Sequence, residues 1–476
     1  MDKRQAQAFI DGFREELWRV SDEVWDAAEL AFHEYRSESV LADCLRRQGF
    51  AVEEGVGGLE TAFTARFGCG RPVIGFLGEF DALAGIGEVP EAFRIRKSGS
   101  KDTGHGCGHN LLGVGSIGAA MILKHYLEET GREGTVIYFG CPGEEGGSGK
   151  AFMAREGVFD ELDFAITWHP GNVSNIFPGA LANVQILYRF HGISAHASAY
   201  PEQGRSALDA LELMNIGVQF LREHMGSLCR VHYAVVDTGG LSPNVVQSHA
   251  SVLYLIRADN NENVRELRRR VDLIADGAAL MTETTVEKEF IKACTDYRGN
   301  GVLETVIQSN LEELPIPEVC DRDLEFIRNL NEVCPPADWT PGKDALEQIP
   351  EEKRAEFVKK CRDSDIFDFA MPYIPGQQGG GSTDVGDVSA VCPTAQCNVA
   401  AFASKTPGHS WQIIAQGVTD YARQRMLYAS KVMAGAAIDL LEDPALLQAA
   451  KEEYRRTHPE GYVCPIPEGV MPHSVD

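Results

Sequence analysis

Positive charge is scarce in this 476-residue chain: 44 Lys and Arg stand against 70 Asp and Glu, for a net charge of −26. Nucleic acids and anionic membrane surfaces are polyanions themselves, so neither is an expected partner. Long apolar runs are missing too. No stretch approaches the roughly 20 residues that a membrane-spanning helix needs, and the start, Met1 to Gln7, lacks the apolar core of a secretory leader. A soluble, cytoplasmic protein is the expectation. The twelve cysteines show no disulfide framework spacing, no C-x-x-C and no second Cys pair for a structural zinc. Cys44, Cys69, Cys229, Cys294 and Cys361 read as small hydrophobes in helix- or strand-like contexts. Internal repeats are absent, and the one low-complexity tract is the Gly cluster at 379–381.

What is present is a set of polar loops, each following an apolar run. Gly104-His105-Gly106-Cys107-Gly108-His109-Asn110 packs three candidate metal ligands into five residues and separates them with glycines. On backbone freed from Cβ sterics, a Cys and a His two apart can turn toward one point. Thr135 to Phe139 is followed by Gly140-Cys141-Pro142-Gly143-Glu144-Glu145-Gly146-Gly147-Ser148-Gly149, which holds two adjacent carboxylates. Phe164 to Trp168 ends in His169-Pro170-Gly171, and Val399 to Ser404 precedes Thr406-Pro407-Gly408-His409-Ser410-Trp411. Such runs read as buried strands of a mostly parallel sheet. Ligands in these sheets gather beyond the strands' carboxyl ends. The four loops therefore point to one crevice.

The expected fold class is α/β. Residues 8–49 have helical spacing, 61–67 and 73–79 read as strands, and 112–127 as a helix after the Cys107/His109 loop. Strand, ligand loop and helix then repeat, as in an α/β sandwich. Between 183 and 293 the order becomes β-α-β-β-α-β, the ferredoxin-like arrangement. The organisation predicted is a discontinuous catalytic, metal-binding domain, 1–182 and 294–476, with an inserted lid and dimerisation domain, 183–293. Residues 335–380, with a charged helix from Asp344 to Arg362 between Pro- and Gly-rich stretches that begin at Pro335-Pro336, read as a solvated surface excursion.

A pair of metal ions about 3.5–4 Å apart needs a bridging ligand and terminal ligands on each ion. Cys107 can supply a thiolate bridge, with His109, Glu145, His169 and His409 as terminal ligands; this S, N and O set suits Zn²⁺ or Mn²⁺. Two adjacent glutamates on an extended loop diverge, so one can bind metal while the other faces substrate as a general base. Metal-assisted amide hydrolysis follows.

The segments around Glu79-Phe80-Asp81-Ala82-Leu83, 104–110, 140–149, Thr167-Trp168-His169-Pro170, 192–197, 381–389 and Pro407-Gly408-His409-Ser410-Trp411 resemble one family. It is the metallo-amidohydrolases and metallopeptidases related to aminoacylase and the plant auxin-conjugate amidohydrolases. The resemblance runs from the N-terminal helices to Cys464-Pro465-Ile466-Pro467. It implies two divalent ions, Mn²⁺ or Zn²⁺, with Cys107 bridging and His109, Glu145, His169 and His409 terminal. It makes Glu144 the catalytic base and His196 a lid residue that steadies the tetrahedral intermediate, often in the partner protomer's site. Asn244 and Arg257 match positions that hold a substrate carboxylate. Many relatives carry a metal-binding His two residues before the Asp of the first motif, where this chain has Glu79. With Cys at 107, that places it in the thiolate-bridged branch and leaves Asp81 to orient a ligand; Asp384 has a similar orienting part. His105 is a further substrate-facing donor or a turn residue.

The expected reaction is hydrolysis of an amide bond to an amino acid, in a small N-acyl or aryl-amide substrate such as p-aminobenzoyl-glutamate. The alternatives are a dipeptidase acting on β-alanyl-type dipeptides and a non-catalytic partner of a related hydrolase. A homodimer, or a heterodimer with a homologous chain through the lid domain, is the expected assembly.

Overall fold

The computed structural model describes residues 1–96, 99, 102–335 and 340–474; Pro336, expected to open the excursion, lies outside them. The main sheet has seven strands: β1 (Ala51–Glu54), β2 (Phe63–Cys69), β3 (Val73–Glu79), β4 (Gly134–Cys141), β5 (Phe164–Gly171), β6 (Asn175–Ile176) and, late in the chain, Thr394–Ala400. Across the sheet they run β1-β2-β4-β3-β5, then Thr394–Ala400, then β6. The four strands β4, β3, β5 and Thr394–Ala400 are mutually parallel, while β1, β2 and β6 add antiparallel flanks. The fold is mixed α/β with a mostly parallel central sheet. Every residue of β3 and β4 is buried, which explains why these strands read as continuous apolar runs and not as alternating ones.

Helix α1 (His109–Thr130) packs over β3 and β5 at short range. Gly113 and Gly115 allow the approach. A Cβ on Gly113 would sit 2.8 Å from the Glu79 carbonyl, and one on Gly115 would sit 2.6 Å from the Trp168 indole. The Trp168 Nε1–H donates to the Leu112 carbonyl at 3.0 Å, which pins the strand residue before His169 to the helix that begins at His109.

A second sheet is built from β7 (Ala182–His191), β8 (Arg230–Asp237), β9 (His249–Ala258) and β10 (Thr285–Cys294), in the order β8-β9-β7-β10 and antiparallel throughout. Helices α2 (Ala207–Leu221) and α3 (Asn261–Thr282) pack against each other and against this sheet. Side chains cross from it to the main body, two of them near the crevice. Lys292 Nζ donates to the Glu145 carbonyl at 2.6 Å, and Arg257 Nη1 donates to Ser382 Oγ at 2.9 Å.

The excursion differs from its expected solvated form. It holds two helices, Lys343–Glu347 and Glu351–Asp363, and then turns inward. Phe367 and Met371 are buried with Cys361 against Ala400 of the central sheet. The aromatic and Met residues after the charged helix anchor it. No helix among the described residues is long and apolar enough to cross a membrane. All twelve cysteines are free; Cys69 is exposed at a strand end, unlike the buried Cys44, Cys294 and Cys361.

Asp163, at the entry to β5, accepts from Val73 N–H at 2.6 Å and from Arg71 Nη1 at 2.7 Å, and it pairs with Lys451. Burial works to raise its pKa, but Lys451, the Val73 N–H and Arg71 outweigh burial and hold it below the usual 3.8. A carboxyl depressed in the fold stabilises above its unfolded pKa, and that contribution is lost as pH falls through the folded value. Asp163→Asn should therefore lower stability at neutral pH and flatten its dependence below about pH 4, read from urea melts across that range.

Candidate metal centre

The crevice lies at the carboxyl ends of the parallel strands, where strand ends, loops and a helix start deliver its groups. Gly108, at φ +78°, ends the glycine-rich loop and starts α1, which places His109 in the helix's first turn. The Pro142–Ser148 turn follows β4 and is folded tightly on itself: a Cβ on Gly149 would lie 1.9 Å from the Pro142 carbonyl. That turn carries Glu144 and Glu145. His169 sits near the end of β5. His409 follows Gly408 in a left-handed backbone conformation, φ +49°, that a non-glycine residue adopts rarely and at some cost.

These residues converge on two groups that share one atom. Cys107, His109 and His169 form the first, and Cys107, Glu145 and His409 the second; the ligand atoms within each group lie within 4.8 Å of one another. Cys107 Sγ is 3.2 Å from His169 Nε2, and His409 Nε2 is 3.6 Å from Glu145 Oε2. Glu144 falls in a third group with His109 and Glu79.

The surroundings orient each group. Asp81 Oδ1 lies 2.8 Å from His109 Nδ1, and its Oδ2 accepts the Glu145 N–H at 2.8 Å. Asp81 thus holds a histidine and the glutamate loop together, and its bond to Nδ1 leaves His109 Nε2 facing the crevice. The Pro170 carbonyl does the same for His169, at 2.8 Å from Nδ1. Asp384 grips Lys150 and does not reach a histidine: Lys150 Nζ donates to Oδ1 at 2.6 Å and the Lys150 N–H donates to Oδ2 at 2.9 Å.

Without cations the charges are badly matched. Burial pushes Glu145 up to about 8 and also raises Glu144, which the neighbouring Glu79 raises further. Burial likewise raises the Cys107 thiol and lowers His169 to about 3. Asp81 is the exception: burial raises it most, but the bond to and charge of His109, the Glu145 N–H and the charge of Lys150 together outweigh burial and hold it low. Two of the ligand-type atoms, His109 Nε2 and Glu145 Oε1, are buried with no hydrogen-bond partner. Orphaned buried polar atoms of this kind call for an unseen partner. Divalent cations fit: they supply the missing positive charge, bind lone pairs, and favour the thiolate at Cys107.

Other expected residues lie elsewhere. His105 is buried with Nε2 3.0 Å from the Val24 carbonyl, and burial lowers its pKa to about 4. Its Nε2 is bonded to the helix that carries Val24, and the residue belongs to none of the three convergent groups. His196 and Asn244 are exposed and close to each other, with the Ala197 N–H donating to the Asn244 carbonyl at 3.0 Å. The His196 ring accepts from the Ser198 and Ala199 N–H groups and lies outside the three convergent groups. Arg257 is bonded to Ser382, and its charge, after burial and His109, helps to lower His409. Cys141 is buried and donates to the Phe139 carbonyl as a packing thiol. Glu79, Lys150 and Lys292 were not anticipated. A charged residue closing an apolar strand was the available signal for Glu79, while Lys150, directly after Gly149, carries no local signal of burial.

Comparison with known proteins identifies the family. Residues 75–473 match the profile of Peptidase family M20/M25/M40. The chain is 44% identical over 466 residues to one of the subunits of p-aminobenzoyl-glutamate hydrolase from Escherichia coli K12, covering 97% of each chain. It is 27% identical to the Xaa-Arg dipeptidase of Mus musculus, over 95% of this chain and 92% of that one. Its fold is similar to a crystal structure of a dinuclear metal binding peptidase of the M20 family from Bacillus subtilis, with a TM-score of 0.55 and 16% identity over 91% of this chain and 99% of that one.

Proposed function

Because this chain belongs to peptidase family M20/M25/M40, we propose that it is a dinuclear metal-dependent amidohydrolase cleaving an amide bond to an amino acid, with p-aminobenzoyl-glutamate or a similar N-acyl or aryl-amide amino acid as substrate. The observation that carries this reading is the pair of ligand groups hinged on Cys107. Two ions, Mn²⁺ or Zn²⁺, would be held by His109 and His169 on one side and by Glu145 and His409 on the other, with Cys107 common to both. When bound, such ions acidify water and polarise the scissile carbonyl.

The chain's own groups do the rest. Glu144 takes the proton of the attacking water and passes it to the leaving nitrogen. Asp81 keeps His109 and the glutamate loop in place. Arg257 offers a guanidinium to the substrate carboxylate. His196 reaches the tetrahedral intermediate from the lid, residues 183–293, on closure or from a partner protomer. Arg257→Met should raise KM about 10- to 100-fold with a smaller change in kcat, as expected for loss of one charged hydrogen bond.

The lid also serves dimerisation in this reading. β8 is an edge strand, and it leaves Tyr233, Val235 and Val236 exposed, while Phe220 is exposed on α2 and Leu280 on α3. An exposed apolar edge invites pairing with another chain. The E. coli relative is named as a subunit, so the partner is a second copy or a homologous chain. Twelve free thiols fit the reducing cytoplasm.

The test is release of p-aminobenzoate and of amino acids from p-aminobenzoyl-glutamate and an N-acyl amino acid panel, with Mn²⁺ or Zn²⁺. Hydrolysis by the purified chain is expected. Turnover confined to dipeptides would assign the chemistry named for the mouse relative, and no turnover of any amide, alone or with a homologous chain, would contradict an enzyme.

A further inference from the structure

Behind His109 lies a buried charge cluster that the proposed reaction does not use. Glu79 closes β3, the strand between β4 and β5, and is buried. One carboxylate oxygen, Oε1, is 2.6 Å from Lys150 Nζ; the other, Oε2, is 3.2 Å from His109 Nε2. Lys150 is fully buried, and its Nζ lies 2.6 Å from Asp384 Oδ1 as well. One ammonium is thus shared between two buried carboxylates.

We propose that Glu79 is a metal-affinity determinant of the centre, its carboxylate held against His109 by the Lys150–Asp384 pair so that it stabilises the ion bound at His109. This rests on the reading of the crevice as a metal centre.

Three observations carry it. First, Asp81 occupies His109 Nδ1, so Nε2 presents its lone pair when the ring is neutral. A neutral ring's lone pair and a carboxylate oxygen 3.2 Å apart in a buried site repel, so the contact needs positive charge between them: a ring proton when no metal is bound, a cation when one is. Second, Nε2 has no hydrogen-bond partner, and together with Glu79 and Glu144 it forms a group of ligand-type atoms within 4.8 Å of one another. Third, Lys150 neutralises only one of the two carboxylates it touches. The net negative charge left on this side is directed by geometry at His109. Asp384 holds Lys150 through both its oxygens, Oδ1 on the ammonium and Oδ2 on the backbone N–H, so the ammonium that anchors Glu79 is itself fixed.

A purely architectural ion pair would occupy the same atoms, and metal affinity separates the two. Glu79→Gln keeps the length of the side chain and an oxygen for Lys150 but removes the charge. Affinities for Zn²⁺ and Mn²⁺ are read by competition of the full-length chain with a chromogenic chelator, alongside ions per chain and the melting temperature of the metal-free protein. The expected result is one ion bound about 10- to 100-fold more weakly, the range for loss of a supporting group around a metal, with the other ion less affected and the metal-free fold intact. Both ions bound as tightly as in wild type would overturn the proposal. Should Glu79→Gln fail to fold, Glu79→Asp carries the test: its carboxylate, shorter by one methylene and still on Lys150, withdraws from His109. About tenfold weaker binding is then expected, and unchanged binding overturns the proposal. A wild-type chain that takes up no ion would overturn the metal-centre reading itself, and this proposal with it.

Discussion

Glu144→Ala is expected to keep its full complement of metal while kcat falls about 10²- to 10⁴-fold, the usual weight of a positioned general base. Two adjacent glutamates share the turn after β4, and the structure separates their surroundings. Glu145 faces Cys107 and His409, its N–H is held by Asp81, and its carbonyl is held by Lys292. Glu144 groups instead with His109 and Glu79, and burial followed by the charge of Glu79 raises its pKa. A carboxyl held on the basic side of its ordinary value is a stronger proton acceptor once ionised. Steady-state kinetics with parallel elemental analysis checks the pairing of results. Loss of metal together with activity would move Glu144 among the ligands, and retained turnover would remove it from the mechanism.

Cys107→Ser should have the widest effect on metal binding, because Cys107 is the one residue common to both ligand groups. A serine hydroxyl is a poor substitute for a thiolate toward Zn²⁺. Affinity for both ions should fall on the order of 10²-fold or more, at least the loss seen when supporting groups around a metal are removed. Stabilisation by ligand follows the same affinity. Wild-type protein at about 100 times the dissociation constant gains roughly 2.7 kcal/mol, and the variant at that ion concentration should gain about a sixth of this or less. Thermal melts with and without Zn²⁺ measure the difference. An unchanged shift on adding metal would show that the thiol does not bridge.

The parts of this site that could be read in the sequence are those where one loop carries several ligand types after an apolar run. Parallel strands bring the loops at their carboxyl ends to one edge, so Cys107, His109, Glu145 and His169 needed only the order strand, loop, helix to be grouped. Lys150 was opaque for the opposite reason. Its partners Glu79 and Asp384 lie 71 and 234 residues away along the chain, and a lysine after glycines carries no local mark of burial. His105 shares the glycine-rich loop with two ligand candidates but turns to Val24, because neighbours on so tight a turn face different ways. The excursion looked solvated from its charged helix; Phe367, after that helix, decides its packing. The strands and helices around His196 and Asn244 were legible as a β-α-β-β-α-β unit, but a strand pattern does not encode how far a loop stands from a crevice in another sheet.

Anomalous-difference density from crystals grown with Zn²⁺ or Mn²⁺ tests the whole account most directly. Two peaks about 3.5–4 Å apart are predicted, one on each side of the Cys107 sulfur, with His109 and His169 nearest the first and Glu145 and His409 nearest the second. Fully loaded crystals showing no peak at this crevice, or a single ion that the sulfur does not touch, would contradict it.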